Sequence, residues 1–370
     1  SSDVCSSDLV LLPPFNVTIG AYLSTNATLD AGDVLIASSI RLLDQNVQSW
    51  GFTEGSLGSG PRLFFGFGAA GRSGRRVIML SVTSSDSSRA GARGGGFGAA
   101  GPGPLMPLSR PGGTGRATDG VSAPTRRFLT RWMAQRGITA RFHPADASTD
   151  QVTAMIDAST RLLLIESPTS LTFDMVDVAA LAAACRARGV LTAMDNAWGA
   201  GLAFRPLAHG VDVSIHPLTK YVGGHSDLLM GAISVIDPDI GRAVAETVED
   251  QGWHVSPDDA WLALRGLRTL PVRYAEQGRS ARMVVDWLEA RPEVSRILWP
   301  ALPSDPGHAI WTRDYSGAAS LFGVVMKGGT TAQAHALMQA LNLFGLGYSS
   351  GGFESLTTHG TPQLSQRAHP

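Results

Sequence analysis

Three observations predict an α/β fold, with a mostly parallel sheet in a large domain and a smaller α+β domain after it. Residues 162–165 (Leu-Leu-Leu-Ile) are a short continuous apolar run of the kind buried in parallel sheets. An Ala/Leu-rich helical stretch and a second apolar run follow at the spacing of a strand–helix–strand unit, whose crossover is right-handed. Polar residues directly follow each run, as they do at the ligand-binding edge of such sheets.

Taken in order, residues 178–188 read as the crossover helix, with Gly189 as its stop. Residues 190–194 are the next strand and end at Asp195-Asn196. Residues 211–215 are a third strand leading into a loop with Lys220, and 228–236 a fourth, expected to be parallel like the rest. Near Gln251 the character changes. Ser256-Pro257-Asp258-Asp259 combines an N-cap hydroxyl, a first-turn proline and first-turn acids, so a long helix is expected to about Ala290. A loop at 300–307, a strand at 321–326 and a helix at 331–341 complete a domain spanning 251–370.

The large domain is placed at 119–250, because residues 1–118 read differently. Of the 43 glycines, 18 fall between 51 and 118, and the acids there are Glu54 and Asp86. No period persists, and weak burial with poor packing is expected. Two G-x-G-x-x-G runs, at 66–71 and 96–101, lack a strand before them and a helix after, so compositional accident is favoured over a nucleotide site. The repeated Ser-Ser-Asp opening resembles adapter read-through, and the stretch as a whole reads as a shifted frame of a GC-rich gene.

A formal net charge of −1 offers no basic field for nucleic acid or anionic membrane, leaving small molecules and copies of the chain as partners. Cys5 and Cys185 cannot build a disulfide framework, and no long apolar run or signal pattern is seen, so a cytoplasmic location is expected. His216, His225 and Asp227 lack the spacing of a zinc site, and no metal is expected.

Only two of the 30 basic residues are lysines, Lys220 and Lys327. A guanidinium cannot act as a neutral amine nucleophile or base, so these two are candidates for amine chemistry. Asp195 closes one strand and Thr219-Lys220 follows another. An aldehyde cofactor such as pyridoxal phosphate needs a lysine, a carboxylate against the pyridine nitrogen, and donors to its phosphate, which Lys220, Asp195 and Thr219 can supply. A turn-capping Asp195 and a solvated Lys220 fit the spacing equally well.

The motifs decide between these. Glu-Ser-Pro-Thr-Ser-Leu-Thr-Phe at 166–173, Asp-Asn-Ala-Trp at 195–198, the Lys220 segment at 216–227, the run at 259–270, Pro-Ala-Leu-Pro at 300–303 and Gly-Tyr-Ser-Ser-Gly-Gly-Phe-Glu-Ser-Leu at 347–356 stand in consistent order. Over 119–356 the chain resembles the cystathionine β-lyase branch of the Cys/Met-metabolism pyridoxal-phosphate enzymes. The first motif favours that branch over the γ-synthases and γ-lyases, which typically carry Thr-Pro-Thr-Asn-Pro there.

The resemblance implies a fold-type I transferase-like architecture, pyridoxal 5'-phosphate as cofactor, and a homodimer or homotetramer of the transsulfuration and methionine-biosynthesis type. It implies that Lys220 forms the imine and moves the Cα proton, that Asp195 keeps the pyridinium protonated, and that Thr219 donates to the phosphate. It puts Tyr348 and Ser349 at the substrate carboxylate. The expected reaction takes cystathionine to homocysteine, pyruvate and ammonia. The sequence departs from the pattern at Ser122, where an aromatic residue is expected, at Pro217, at Ser350 in place of Trp, and in 1–118, where the Tyr-Gly-Arg and Ser-Gly-x-Ala-Ala segments are not found. It also stops at Pro370, before the segment expected to bring the carboxylate-binding arginine. These departures predict weakened cofactor and substrate binding, and the alternative readings are a cystathionine γ-synthase- or γ-lyase-type enzyme and a catalytically degenerate family member.

Overall fold

Strands whose side chains are buried on both faces organise the fold. The computed structural model describes residues 112–369 apart from 254 and 366, together with the backbone of five strands between 21 and 81. The strand Arg62–Gly68 runs into the first Gly-rich run, which corrects the expectation that no strand precedes it; the second run, at 96–101, and the rest of 1–111 apart from those five strands lie outside the described residues.

The sheet of the large domain comprises β1 (Arg76–Ser81), β2 (Thr114–Thr118), β3 (Thr139–His143), β4 (Thr160–Glu166), β5 (Leu191–Asp195), β6 (Val213–Pro217) and β7 (Met230–Val235), in the order β1-β7-β6-β5-β4-β2-β3. Strands β6, β5, β4, β2 and β3 run parallel. Alternate residues feed two cores. Leu163, Ile165 and Met194 pack on one face with Val178, Leu181 and Cys185 of the crossover helix, whereas Leu162, Leu164 and Ala193 pack on the other with Phe128, Leu129, Val244 and Val248. Burial on both faces is why these strands read as unbroken apolar runs.

Two expectations need correction. Strand β7 is antiparallel to β6, because residues 218–229 connect them by a tight turn-rich loop and not by the long crossover that a parallel pair requires. Two strands of this sheet, Arg76–Ser81 and Thr114–Thr118, precede residue 119, where the large domain is expected to begin; Thr114–Thr118 is a buried strand between β4 and β3. Its Thr-Gly-Arg-Ala-Thr composition hides it, since Gly115 and Arg116 interrupt the apolar signal.

The helices follow their caps. The crossover helix (Val178–Arg186) is capped by Asp177, which accepts from the Ala180 N–H, and the chain leaves it through Gly189 at φ +66°. The long helix Pro257–Glu289 starts as expected: Ser256 Oγ accepts from the Asp259 N–H, with Pro257 in the first turn. At 33 residues it is about 50 Å long. Beyond it, Val294–Leu298 and Gly323–Met326 pair antiparallel, and Thr331–Gln339 forms a helix with a capping box at Thr330 and Gln333. No described helix is long and apolar enough to cross a membrane.

Candidate active site

The C-terminal ends of β4, β5 and β6 bring the predicted residues to one edge. Asp195 ends β5, where it pairs in register with Glu166 at the end of β4 and with Ile215 of β6. In-register neighbours project to the same face, so the two carboxyl groups stand side by side. Each is only 6% exposed.

Asp195 Oδ1 accepts the Ala197 N–H at 3.0 Å. Burial raises its pKa, and the ammonium of Lys220 is the largest influence opposing that rise. Lys220 therefore stands within electrostatic reach of Asp195. The Glu166 carboxyl is pushed up to about 8, first by burial and then by the Asp195 charge. Ser122 N–H donates to Glu166 Oε2 at 2.9 Å, and the Ser170 hydroxyl donates to Oε1 at 2.5 Å.

Lys220 is half-buried in a coil of tight turns. Its N–H donates to the Pro217 carbonyl at 3.1 Å, and its own carbonyl accepts from Gly224 at 2.8 Å. Behind that loop runs the long helix. Arg273 donates to the Tyr221 and Val222 carbonyls at 2.8 and 3.0 Å, and to the Gly266 carbonyl of its own helix. A Cβ on Gly266 would stand 2.2 Å from the Val222 carbonyl oxygen, so only glycine permits this approach. Helix and lysine loop are thereby locked together.

Thr219 flanks the lysine, and its hydroxyl exchanges hydrogen bonds with the Met230 backbone, accepting its N–H at 2.9 Å. Tyr348 is 74% exposed, and Ser349 is exposed at φ +87°, a conformation costly for a side-chain-bearing residue. Their loop reaches the lysine segment two residues later, where Gly351 lies directly against Tyr221. Glu354 accepts from Ser226 Oγ, and the Gly352 carbonyl accepts from Gln277. Asp195 and Lys220 are thus brought together, Thr219 is their neighbour, and Tyr348 and Ser349 sit on a loop packed over the segment.

Sequence reasoning quoted Glu166 and Ser170 within a motif but assigned neither a role. The missing signal is the register of β4 against β5, which no spacing along the chain reveals. Arg367 was also missed: it donates to Thr172 Oγ1 and the Ser170 carbonyl, and it lies within electrostatic reach of Glu166.

A parallel sheet presenting a lysine loop and a buried aspartate at its carboxyl edge defines the class of the α/β pyridoxal-phosphate enzymes. The residues fit that group: an amine, Lys220, within electrostatic reach of a buried carboxyl group, Asp195, the pair its aldehyde and ring nitrogen require. The chain belongs to the Cys/Met metabolism PLP-dependent enzyme family, whose family model matches residues 91–369. It is similar to a cystathionine beta-lyase of Bordetella avium, 43% identical over 244 residues, covering 66% of this chain and 61% of that protein. It is also similar to a putative cystathionine beta-lyase of Rhizobium johnstonii, 39% identical over 260 residues, covering 69% and 65%. The chain thus spans less than two thirds of the length of these relatives. The solved structure of cystathionine gamma-lyase from Lactobacillus plantarum shares the fold, with a TM-score of 0.71 at 23% identity over 79% of this chain and 72% of that one.

Proposed function

We propose that the chain is a pyridoxal-phosphate carbon–sulfur β-lyase that takes cystathionine and water to homocysteine, pyruvate and ammonia. The observation that carries this reading is the placement of Lys220, in the loop after β6, within electrostatic reach of the buried Asp195 at the end of β5. When bound, pyridoxal phosphate supplies an electron sink for the pair released at the substrate Cα.

The chain's own groups do the rest. Lys220 Nζ is the amine for the cofactor's aldehyde and carries the proton taken from Cα. Asp195, ionised in a buried site, keeps the ring nitrogen protonated, and a fixed charge there acts more strongly than it would in water. Thr219 offers its hydroxyl to the phosphate, exchanging its bond to Met230. Tyr348 and Ser349 offer contacts to the substrate carboxylate. The 166–173 motif and the likeness to named β-lyases support β- over γ-elimination. The family resemblance further implies a homo-oligomer.

The test is product analysis after incubating the chain with pyridoxal phosphate and cystathionine. Pyruvate and homocysteine are expected. Release of 2-oxobutyrate and cysteine would assign a γ-lyase instead, and no keto acid at all would assign a degenerate member.

A further inference from the structure

We propose that Glu166 is a positioning residue for Asp195: the two carboxyl groups share one negative charge, and Glu166 holds the proton so that Asp195 carries the charge toward the cofactor's ring nitrogen. This inference rests on the pyridoxal-phosphate reading above and deepens it.

The geometry carries the argument. Glu166 and Asp195 are register partners at the ends of adjacent parallel strands, on one face of the sheet, and both are buried. Two buried carboxyl groups at in-register ends of adjacent strands cannot both ionise cheaply, so the pair titrates as a unit. Lys220 decides which partner keeps the charge. Its attraction is the leading influence holding the Asp195 proton off, whereas on Glu166 it is the weakest of those acting.

Neutral Glu166 also leaves no polar atom stranded. Oε2 keeps the Ser122 N–H. The Ser170 hydroxyl now donates to Oε1. It is a free rotor, so it can turn to accept the acid proton while its own proton swings away. The charged groups facing Glu166 are Asp195 from β5, Lys220 from the loop after β6, and Arg367 from the C-terminal segment. Arg367 favours an ionised Glu166, and burial together with Asp195 opposes it.

Infrared difference spectra of the cofactor-free chain between about pH 6 and about pH 9 read the proton directly. The parent should show the carbonyl band of a buried neutral carboxylic acid at the lower pH and lose it at the higher. The band should vanish in E166Q. In D195N its midpoint should fall by about one pH unit or more, because the neighbouring charge has gone. With pyridoxal phosphate bound, the parent's visible absorption should change as Glu166 loses its proton, and E166Q should lack that change. A band unchanged in E166Q, no band in the parent, or an unmoved midpoint in D195N would each overturn the proposal. Failure of the parent to take up pyridoxal phosphate would instead overturn the functional reading, and the infrared result would stand apart from it.

Discussion

Asp195 accepts one backbone hydrogen bond, from Ala197, and the nearby Lys220 ammonium is the larger of the two influences favouring its charged form. Replacing it with asparagine keeps the shape and removes the charge. A charge-assisted hydrogen bond contributes about 1.5–3 kcal/mol, so D195N should bind pyridoxal phosphate about ten- to a hundredfold more weakly, measured by absorbance titration. Cys185 offers a contrast at the same scale. It is fully buried, and burial pushes its thiol up to about 11, so it should resist alkylation in the folded chain and react once unfolded. At this scale the sequence was legible wherever a residue's chemistry is scarce: two lysines in 370 residues direct attention to Lys220. It was silent on Glu166, whose role depends on lying opposite Asp195 and not on anything near it in the chain.

The long helix Pro257–Glu289 is more than a connector, since Gly266 and Arg273 clamp the loop that holds Lys220. In G266A the new methyl would meet the Val222 and Gly223 carbonyls, and backbone must move to admit it. We expect a loss of stability of about 1–3 kcal/mol, measured by denaturant unfolding, with a larger proportional loss of cofactor affinity than the exposed-face substitution V272A causes. Equal effects of the two substitutions would show that the clamp does not position the lysine. The start of this helix was readable because an N-cap serine, a proline and two acids act locally. Strand β7 was misread in direction because apolar continuity reports burial, not polarity, and direction is set by the length and turns of the 218–229 connection. Strand β2 was passed over because its burial comes from neighbours on both sides, which lets Thr, Gly and Arg occupy a central strand.

For the molecule as a whole, the buried titratable groups set a pH profile of stability. His143 and His216 are held down to about 4 by burial, below their ordinary value of 6.5. The unfolded chain binds more protons over that interval, so stability rises with pH from about 4 to 6.5. Glu166 acts in the opposite sense. Its folded value lies near 8 against an ordinary 4.5, so its contribution is complete below 4.5 and is lost as pH rises toward 8. Two histidines outweigh one carboxyl below 6.5 and cease to matter above it. The melting temperature of the cofactor-free chain should therefore peak near pH 6.5 and decline toward 8, whereas E166Q should hold a plateau over that upper range. A parent profile that is flat from 6.5 to 8 would remove the case for a protonated Glu166.

The fold and the lysine–aspartate pair together make a single claim, that Lys220 is the amine that takes the cofactor's aldehyde. Lys220→Arg retains the charge and nearly the length while removing the only amine in residues 119–326. An ordinary surface lysine would tolerate this within about 0.5 kcal/mol and without change in cofactor behaviour. The decisive measurement is borohydride reduction of the chain in the presence of pyridoxal phosphate, followed by peptide mapping. The account predicts a reduced cofactor adduct on the peptide carrying Lys220 in the parent and none in K220R. Equal labelling of both proteins, or labelling confined to Lys327, would contradict it.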